Sequence, residues 1–120
     1  MGNDGKTWVC PKLVLESGEV MTDLPVRFNT YGSLSPSRDN VLFVCHALTG
    51  NSALHTWWAG LLGSGKAFDT DRYFVVCANM LGSCYGTCGP TTPDPRAKNR
   101  PYGNNFPSCS LRDTVQLHIK

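Results

Sequence analysis

The chain has 120 residues, of which 41% are hydrophobic and 17% charged, and its formal net charge is +2. This length forms about one small domain, and the apolar content is high enough for a buried core, which excludes a disordered protein. The small net charge excludes a polybasic surface, so we expect no nucleic acid partner.

The apolar runs are too short to cross a membrane. The longest, residues 41–45 and 73–78, fall far short of the ~20 residues that a membrane helix needs. The first residues have neither the basic start nor the apolar stretch of a secretory signal. We therefore expect a cytoplasmic protein with no membrane partner. The six cysteines are not expected to form a disulfide framework, because two of them end apolar runs and an intracellular cysteine is usually a small buried hydrophobe.

Two strands are predicted after an N-terminal tail. Residues 1–12 are assigned to the tail because they are mostly polar and contain glycine. Residues 12–16 and 26–31 are predicted to be strands joined through residues 17–19 in a hairpin. The serine-rich segment 32–40 is predicted to be a loop.

The apolar runs at 41–45 and 73–78 are typical of strands buried on both faces, as in a parallel sheet. The 27 residues between them are enough for a right-handed crossover, and residues 53–62 could supply its helix. The pattern predicts a strand-helix-strand unit.

Glycine and proline interrupt residues 79–109, which predicts a long functional loop or lid. Ser110 and Asp113 then resemble a capping box that begins a helix. Leu111, Val115, His118 and Ile119 share one face of this helix, which we expect to be packed. No stop signal precedes Lys120, so we expect the chain to be part of a longer protein.

Two motifs are set aside. Residues 60–67 fit the phosphate-loop spacing G-x4-G-K, but Ala67 replaces the serine or threonine that binds Mg²⁺, and no buried strand precedes the segment. Cys84 and Cys88 are four residues apart without a second close pair of ligands, so we expect no metal site.

The turn after the strand 41–45 is the best candidate site. His46 opens it, and strand ends of this kind are where open α/β sheets bind ligands. Backbone N–H groups beyond the end of the strand have no hydrogen-bond partner in a neighbouring strand and can bind a ligand oxygen, as in the oxyanion hole of α/β-hydrolases. No G-x-S-x-G nucleophile motif occurs in the chain.

From about residue 13 to the end, the chain resembles the homoserine O-acetyltransferase family. The segments that carry the resemblance are Leu15–Gly18, Thr30–Gly32, Arg38–Asn40, Cys45–Gly50, Trp57–Trp58, Gly65–Thr70, Arg72–Phe74, Leu81–Thr87, Gly89–Pro90, Pro101–Gly103, Phe106–Pro107 and Arg112–Asp113. Two features depart from the family pattern: residues 96–100 are one residue longer, and Cys88 replaces a small hydroxyl residue.

The resemblance implies that residues 13–120 are the N-terminal portion of an α/β-hydrolase fold. This portion would be a mostly parallel sheet with an antiparallel N-terminal hairpin, incomplete and truncated before the nucleophile elbow. The long loop would help to wall the active-site entrance.

The resemblance also implies the chemistry. A serine, activated by a histidine that an aspartate orients, would take acetyl from the co-substrate acetyl-CoA and pass it to L-homoserine. These three residues would lie beyond Lys120. Within the chain, the Leu48 backbone N–H would be an oxyanion donor, with no metal and no permanently bound cofactor. The other turn residues would contact substrate: His46, Ala47, Thr49 and Gly50.

Several alternatives stay open. Related enzymes of this fold use serine or deacetylcephalosporin C as acceptor, or succinyl-CoA as donor, and an esterase would let water attack the acyl-enzyme. A non-enzymatic binding module would have to fold from residues 1–120 alone. The partners are expected to be small molecules, and the full-length protein is compatible with a homodimer.

Overall fold

The structure is a computed structural model that describes residues 5–120. Residues 1–4 of the predicted tail lie outside the described residues, and the chain already forms a strand from Lys6 onward. The elements are β1 (Lys6–Val14), β2 (Val20–Tyr31), β3 (Val41–Val44), α1 (Leu54–Trp57), β4 (Phe74–Ala78) and α2 (Leu111–Ile119), with 3₁₀ turns at Pro95–Ala97 and Gly103–Asn105.

The four strands form one mixed sheet in the order β1-β2-β4-β3. β3 and β4 are parallel, with Val44 opposite Cys77, which confirms the predicted crossover unit. β2 pairs antiparallel with β4, and Tyr31 lies opposite Val75. Only residues 15–19 join β1 to β2, too few for a parallel connection, so these neighbours form the predicted hairpin.

The chain divides into two compact units, each with its own core. The β3–β4 unit contains residues 5–6 and 28–78, and the hairpin–loop unit contains residues 7–27 and 79–120. Buried side chains of the β3–β4 unit are Val44, Leu54, Val75 and Cys77. Those of the hairpin–loop unit are Cys10, Leu13, Leu15, Met21, Leu24, Val26, Leu81, Cys88, Tyr102 and Leu117.

The prediction that β3 is buried on both faces is wrong for the described residues. Val44 is buried, but Val41 and Phe43, which point to the other face, are 46% and 44% exposed. In β4, Val75 and Cys77 lie on the same face as Val44 and are fully buried, whereas Val76, opposite Phe43, is only half-buried. In residues 5–120 the β3–β4 pair is therefore buried on one face only, and its other face is half-buried at β4 and exposed at β3.

The crossover helix is much shorter than the predicted 53–62. α1 ends at Trp57, and the chain then turns back so that Leu62 and Phe68 form an isolated bridge. Gly60 and Gly63 lie in this turn, where glycine disfavours helix continuation. Neither helix in the described residues has the length and apolarity of a membrane span.

α2 begins where the sequence predicts, with a complete capping box. The Ser110 hydroxyl accepts from the Asp113 N–H at 3.1 Å, and the Asp113 carboxylate accepts from the Ser110 N–H at 2.8 Å. The other oxygen of this carboxylate accepts from the Glu16 N–H, in the turn of the hairpin, at 2.8 Å. Asp113 therefore ties the helix start to the β1–β2 turn.

This tie explains why the predicted packed face of α2 is wrong. With Asp113 held against the hairpin turn, Thr114 and Leu117 are buried with it. The predicted stripe faces out instead, with Leu111, Val115 and Ile119 between 53% and 73% exposed. His118 is half-buried, and its Nε2 donates to the Asn79 carbonyl at 3.1 Å.

We expect Asp113→Asn to lower the free energy of unfolding of the full-length protein by about 1–3 kcal/mol at neutral pH, because an amide cannot accept from both N–H groups. The Ser110 N–H, and after it the Glu16 N–H, hold the pKa of Asp113 below its usual value. A lowered pKa stabilises the fold above the unfolded-state pKa and loses this effect as the pH falls through the folded-state pKa. Urea unfolding at pH 7 and about pH 3 should therefore show that the stability difference between wild type and Asp113→Asn becomes smaller at the lower pH. Equal free energies of unfolding at pH 7 would contradict a stabilising role of these two hydrogen bonds.

The long loop is ordered by charged groups, although it contains only short 3₁₀ turns. Arg96 donates to Asp94 at 3.1 Å and to Glu19 at 3.0 Å, and its guanidinium lies 5.6 Å from the Tyr102 ring centre. The Arg96 hydrogen bonds lower the pKa of the Asp94 carboxyl. Lys98 and Asn99, in the segment longer than the family pattern, both adopt left-handed backbone angles.

Candidate active site

The turn that follows β3 lies where the parallel strands β3 and β4 both end. The Gly50 N–H donates to the Ala47 carbonyl at 2.8 Å, which closes a β-turn around Leu48 and Thr49. The Leu48 side chain is 95% exposed and makes no packing contribution to the turn. The predicted site residues 46–50 are thus contiguous and shaped by backbone contacts.

The Leu48 N–H is available to a ligand in this arrangement. None of residues 5–120 accepts a hydrogen bond from it. An exposed backbone donor at the carboxyl end of a parallel strand can bind a developing negative charge on an acyl oxygen. The turn therefore has the chemistry of half of an oxyanion hole.

His46 faces the backbone of its own turn. The residue is 9% exposed, and its Nδ1 lies 2.8 Å from the Ala47 carbonyl oxygen. Gly50 packs directly on the ring, since a Cβ there would lie 3.2 Å from the His46 Cβ and 3.3 Å from its Nδ1. Direct contact of His46, Ala47, Thr49 or Gly50 with substrate stays a prediction.

Polar contacts below the turn were not foreseen from the sequence. The buried Ser52 hydroxyl donates to the side-chain oxygen of Asn29 in β2 at 2.8 Å. The Trp57 indole donates to the Asn51 carbonyl at 3.1 Å. These bonds fix the segment after the turn to the sheet and to α1. Of the residues in these contacts, only Trp57 belongs to a segment that carries the family resemblance.

The β3–β4 unit contains a second histidine that does not join the turn. His55 Nδ1 and the Tyr31 hydroxyl are 2.8 Å apart. Tyr31 lies opposite Val75, near the start of β4, whereas the turn follows the Val44–Cys77 pair near its end. The histidines therefore form no common catalytic cluster within this unit.

In the segment that resembles a phosphate loop, residues 60–67, the lysine side chain is bound to the backbone. The Lys66 ammonium donates to the Ala59 carbonyl at 2.8 Å instead of lying free at a phosphate position. A short helix and a turn precede it, not a buried strand. The structure thus supports setting nucleotide binding aside.

All six cysteines are free thiols, and residues 5–120 contain no group of three or more histidine, cysteine or acidic side chains able to hold a metal. Cys84 is exposed, whereas Cys88 is buried and burial raises its pKa to about 11. Burial also raises the pKa of Cys77, beneath the site, to about 12. Buried thiols of this kind are poor nucleophiles.

We expect iodoacetamide at about pH 8 to modify Cys84 of the native full-length protein roughly 10-fold or more faster than Cys88, because the thiolate is the reactive form. Tandem mass spectrometry of the digested protein measures both sites. Denaturation in urea should make the two rates similar. Equal rates in the native protein would show that Cys88 is not protected as the structure indicates.

Comparison with known proteins identifies homoserine O-acetyltransferases as relatives of this chain by sequence. No family profile matches the chain. The homoserine O-acetyltransferase of Nostoc punctiforme is 50% identical over 103 residues, which cover 86% of this chain and 29% of that protein. The chain thus spans less than a third of the length of this relative.

Solved structures agree with the predicted fold. The homoserine O-acetyltransferase of Bacillus anthracis has a TM-score of 0.82 at 27% identity, covering 95% of this chain and 34% of that one. Esterase E22 has a TM-score of 0.83 at 27% identity, covering 95% and 35%. These likenesses confirm the α/β-hydrolase fold, of which the chain corresponds to about a third.

Proposed function

We propose that the whole protein transfers acetyl from acetyl-CoA to the hydroxyl of L-homoserine, because this chain is similar in sequence and in fold to homoserine O-acetyltransferases. The observation that carries the proposal is the 50% identity to a protein of that name. The reaction is a step of methionine biosynthesis, and we assign it to the cytoplasm. The substrates are small molecules, and no permanently bound cofactor takes part.

The proposed reaction has two displacements. A serine Oγ gives its proton to the catalytic histidine and attacks the thioester carbonyl. The tetrahedral oxyanion then collapses, and CoA leaves as the thiol by taking that proton from the histidine. The homoserine hydroxyl then gives its proton to the same histidine and attacks the acyl-serine. The second oxyanion collapses, the serine Oγ leaves and takes the proton back from the histidine, and the product is released as the O-acetyl ester. We propose that the serine, the histidine and the aspartate that orients it come from outside residues 1–120.

In both displacements, the Leu48 N–H would donate to the oxyanion. The support for this role is its position at the end of β3, its exposure and its lack of an acceptor among residues 5–120. The second donor would come from the residue after the catalytic serine. Because such donors are fixed before the reaction, they stabilise the charge at no cost of reorganisation.

A hydrolase is the second candidate, since esterase E22 has the same fold over this region. The two functions differ only in whether water or an amino-acid hydroxyl attacks the acyl-enzyme. The sequence relatives favour the transferase.

The test is an assay of the full-length protein with acetyl-CoA, in which a thiol-reactive colorimetric reagent measures CoA release and mass spectrometry identifies the products. We expect rapid CoA release with L-homoserine, formation of O-acetylhomoserine, and no loss of activity after dialysis against a metal chelator. CoA release at the same rate without an acceptor would indicate a hydrolase. A preference for L-serine or deacetylcephalosporin C as acceptor, or for succinyl-CoA as donor, would assign the protein to a related class of acyltransferase with the same fold.

A further inference from the structure

We propose that His46 is a positioning residue for the oxyanion donor. Its ring and the Gly50 N–H together hold the Ala47–Leu48 peptide in the orientation that presents the Leu48 N–H to the acyl oxygen. The proposal rests on the acyl-transfer function proposed above and adds how the turn keeps its shape.

The Ala47 carbonyl carries two hydrogen bonds. The Gly50 N–H donates to it at 2.8 Å, and the His46 Nδ1 lies at the same distance. A carbonyl oxygen only accepts, so the His46 proton must be on Nδ1. Two donors occupy the two lone pairs of this oxygen and therefore fix the direction of the carbonyl.

Fixing this carbonyl also fixes the Leu48 N–H. The atoms of a peptide bond lie in one plane, and in the trans form the C=O and the following N–H point to opposite sides. Residues 5–120 contain no cis peptide bond. The donors on Ala47 therefore set the direction of the Leu48 N–H across a single rigid group.

The exposed side chains of the turn cannot hold the Ala47–Leu48 peptide in place. Leu48 is 95% exposed, and Ala47 and Thr49 are also exposed. His46 is the buried residue of the turn, and Gly50 leaves the space that its ring occupies. A Cβ on Gly50 would lie 3.1 Å from the Ala47 oxygen and would push the ring or the carbonyl away.

The direction of this N–H matters because an oxyanion donor contributes only when it is aimed before the charge develops. A displacement of about 1 Å in such a group can cost roughly 100-fold in rate. His46 would thus act on the reaction through the backbone.

The test compares His46→Asn with His46→Leu in the full-length protein. The Asn side-chain amide places an N–H near the position of Nδ1, whereas Leu has no donor. We expect His46→Leu to lower kcat about 10- to 100-fold with less than about a twofold change in the KM for acetyl-CoA. His46→Asn should recover most of that loss.

Acylation by p-nitrophenyl acetate separates this proposal from the proposed function, since it reports formation of the acyl-enzyme without any acceptor. The same order, wild type above Asn above Leu, should hold there. Gly50→Ala, which disturbs the carbonyl without changing His46, should lower the acylation rate as well. His55→Asn, which alters a histidine outside the turn, should not.

Equal losses in folded His46→Asn and His46→Leu would overturn the positioning role, as would wild-type acylation by both His46→Leu and Gly50→Ala. A wild-type protein that is acylated but does not use L-homoserine would overturn the proposed acceptor and leave the role of His46 intact. A wild-type protein that forms no acyl-enzyme would overturn both.

Discussion

Leu48→Pro in the full-length protein is expected to lower kcat about 100- to 1000-fold, which corresponds to about 2.7–4 kcal/mol of lost transition-state stabilisation. Proline has no N–H, so the oxyanion would lose one of its donors. Leu48→Ala keeps the N–H and removes only a side chain that is 95% exposed, so it should retain near wild-type kcat. Steady-state kinetics with acetyl-CoA and L-homoserine measure both.

Proline also restricts its own φ angle and the residue before it, so the comparison needs folded protein. Circular dichroism and CoA binding should be unchanged in Leu48→Pro. If a folded Leu48→Pro enzyme transferred acetyl at near wild-type rate, the turn would have no role in the chemistry.

Gly32→Ala is expected to give the largest loss of stability, about 3 kcal/mol or more. Gly32 has a φ of +77°, which disfavours any side chain, and an added Cβ would lie 2.3 Å from the Tyr73 carbonyl oxygen and 2.8 Å from that of Thr70. Backbone atoms cannot move aside as a flexible side chain can. The β3–β4 unit would have to deform around the new methyl group.

Gly18→Ala is the matched control, because Gly18 has a φ of +86° and no atom within 4 Å of an added Cβ. It should cost only the left-handed backbone penalty, about 1–2 kcal/mol. Urea unfolding of the two full-length variants measures the difference. Similar losses would show that the space around Gly32 is not as tight as the structure describes.

Much of the sheet could be predicted because its signals are local. The apolar runs of β3 and β4 identify them without any knowledge of their neighbours. The strands of the hairpin were predicted too short, at residues 12–16 and 26–31, and both observed strands continue back through a proline, Pro11 or Pro25. β1 is an edge strand, where proline is tolerated, and β2 pairs with β4 only from Phe28 onward.

The features that were missed depend on contacts distant in sequence. The rotation of α2 is set by the bond between Asp113 and Glu16, which no helical periodicity reveals. The Ser52–Asn29 bond below the turn joins two segments that share no pattern. The position of the turn could be predicted, since it directly follows the apolar run of β3. The hydrogen bonds within the turn could not be predicted from the sequence.

The position of β4 in the sheet has a consequence for the protein as it is being made. β4 is the strand that pairs with both β2 and β3, yet about 30 residues separate Val44 from Phe74. At about 5–20 residues per second, a ribosome needs roughly 2–6 seconds to synthesise that interval. During this time the apolar segment of β3 has been synthesised and its partner strand has not. Until β4 follows, β3 and β2 cannot form their native pairs with it, and shielding of the nascent chain by the ribosome or a chaperone would limit wrong pairing.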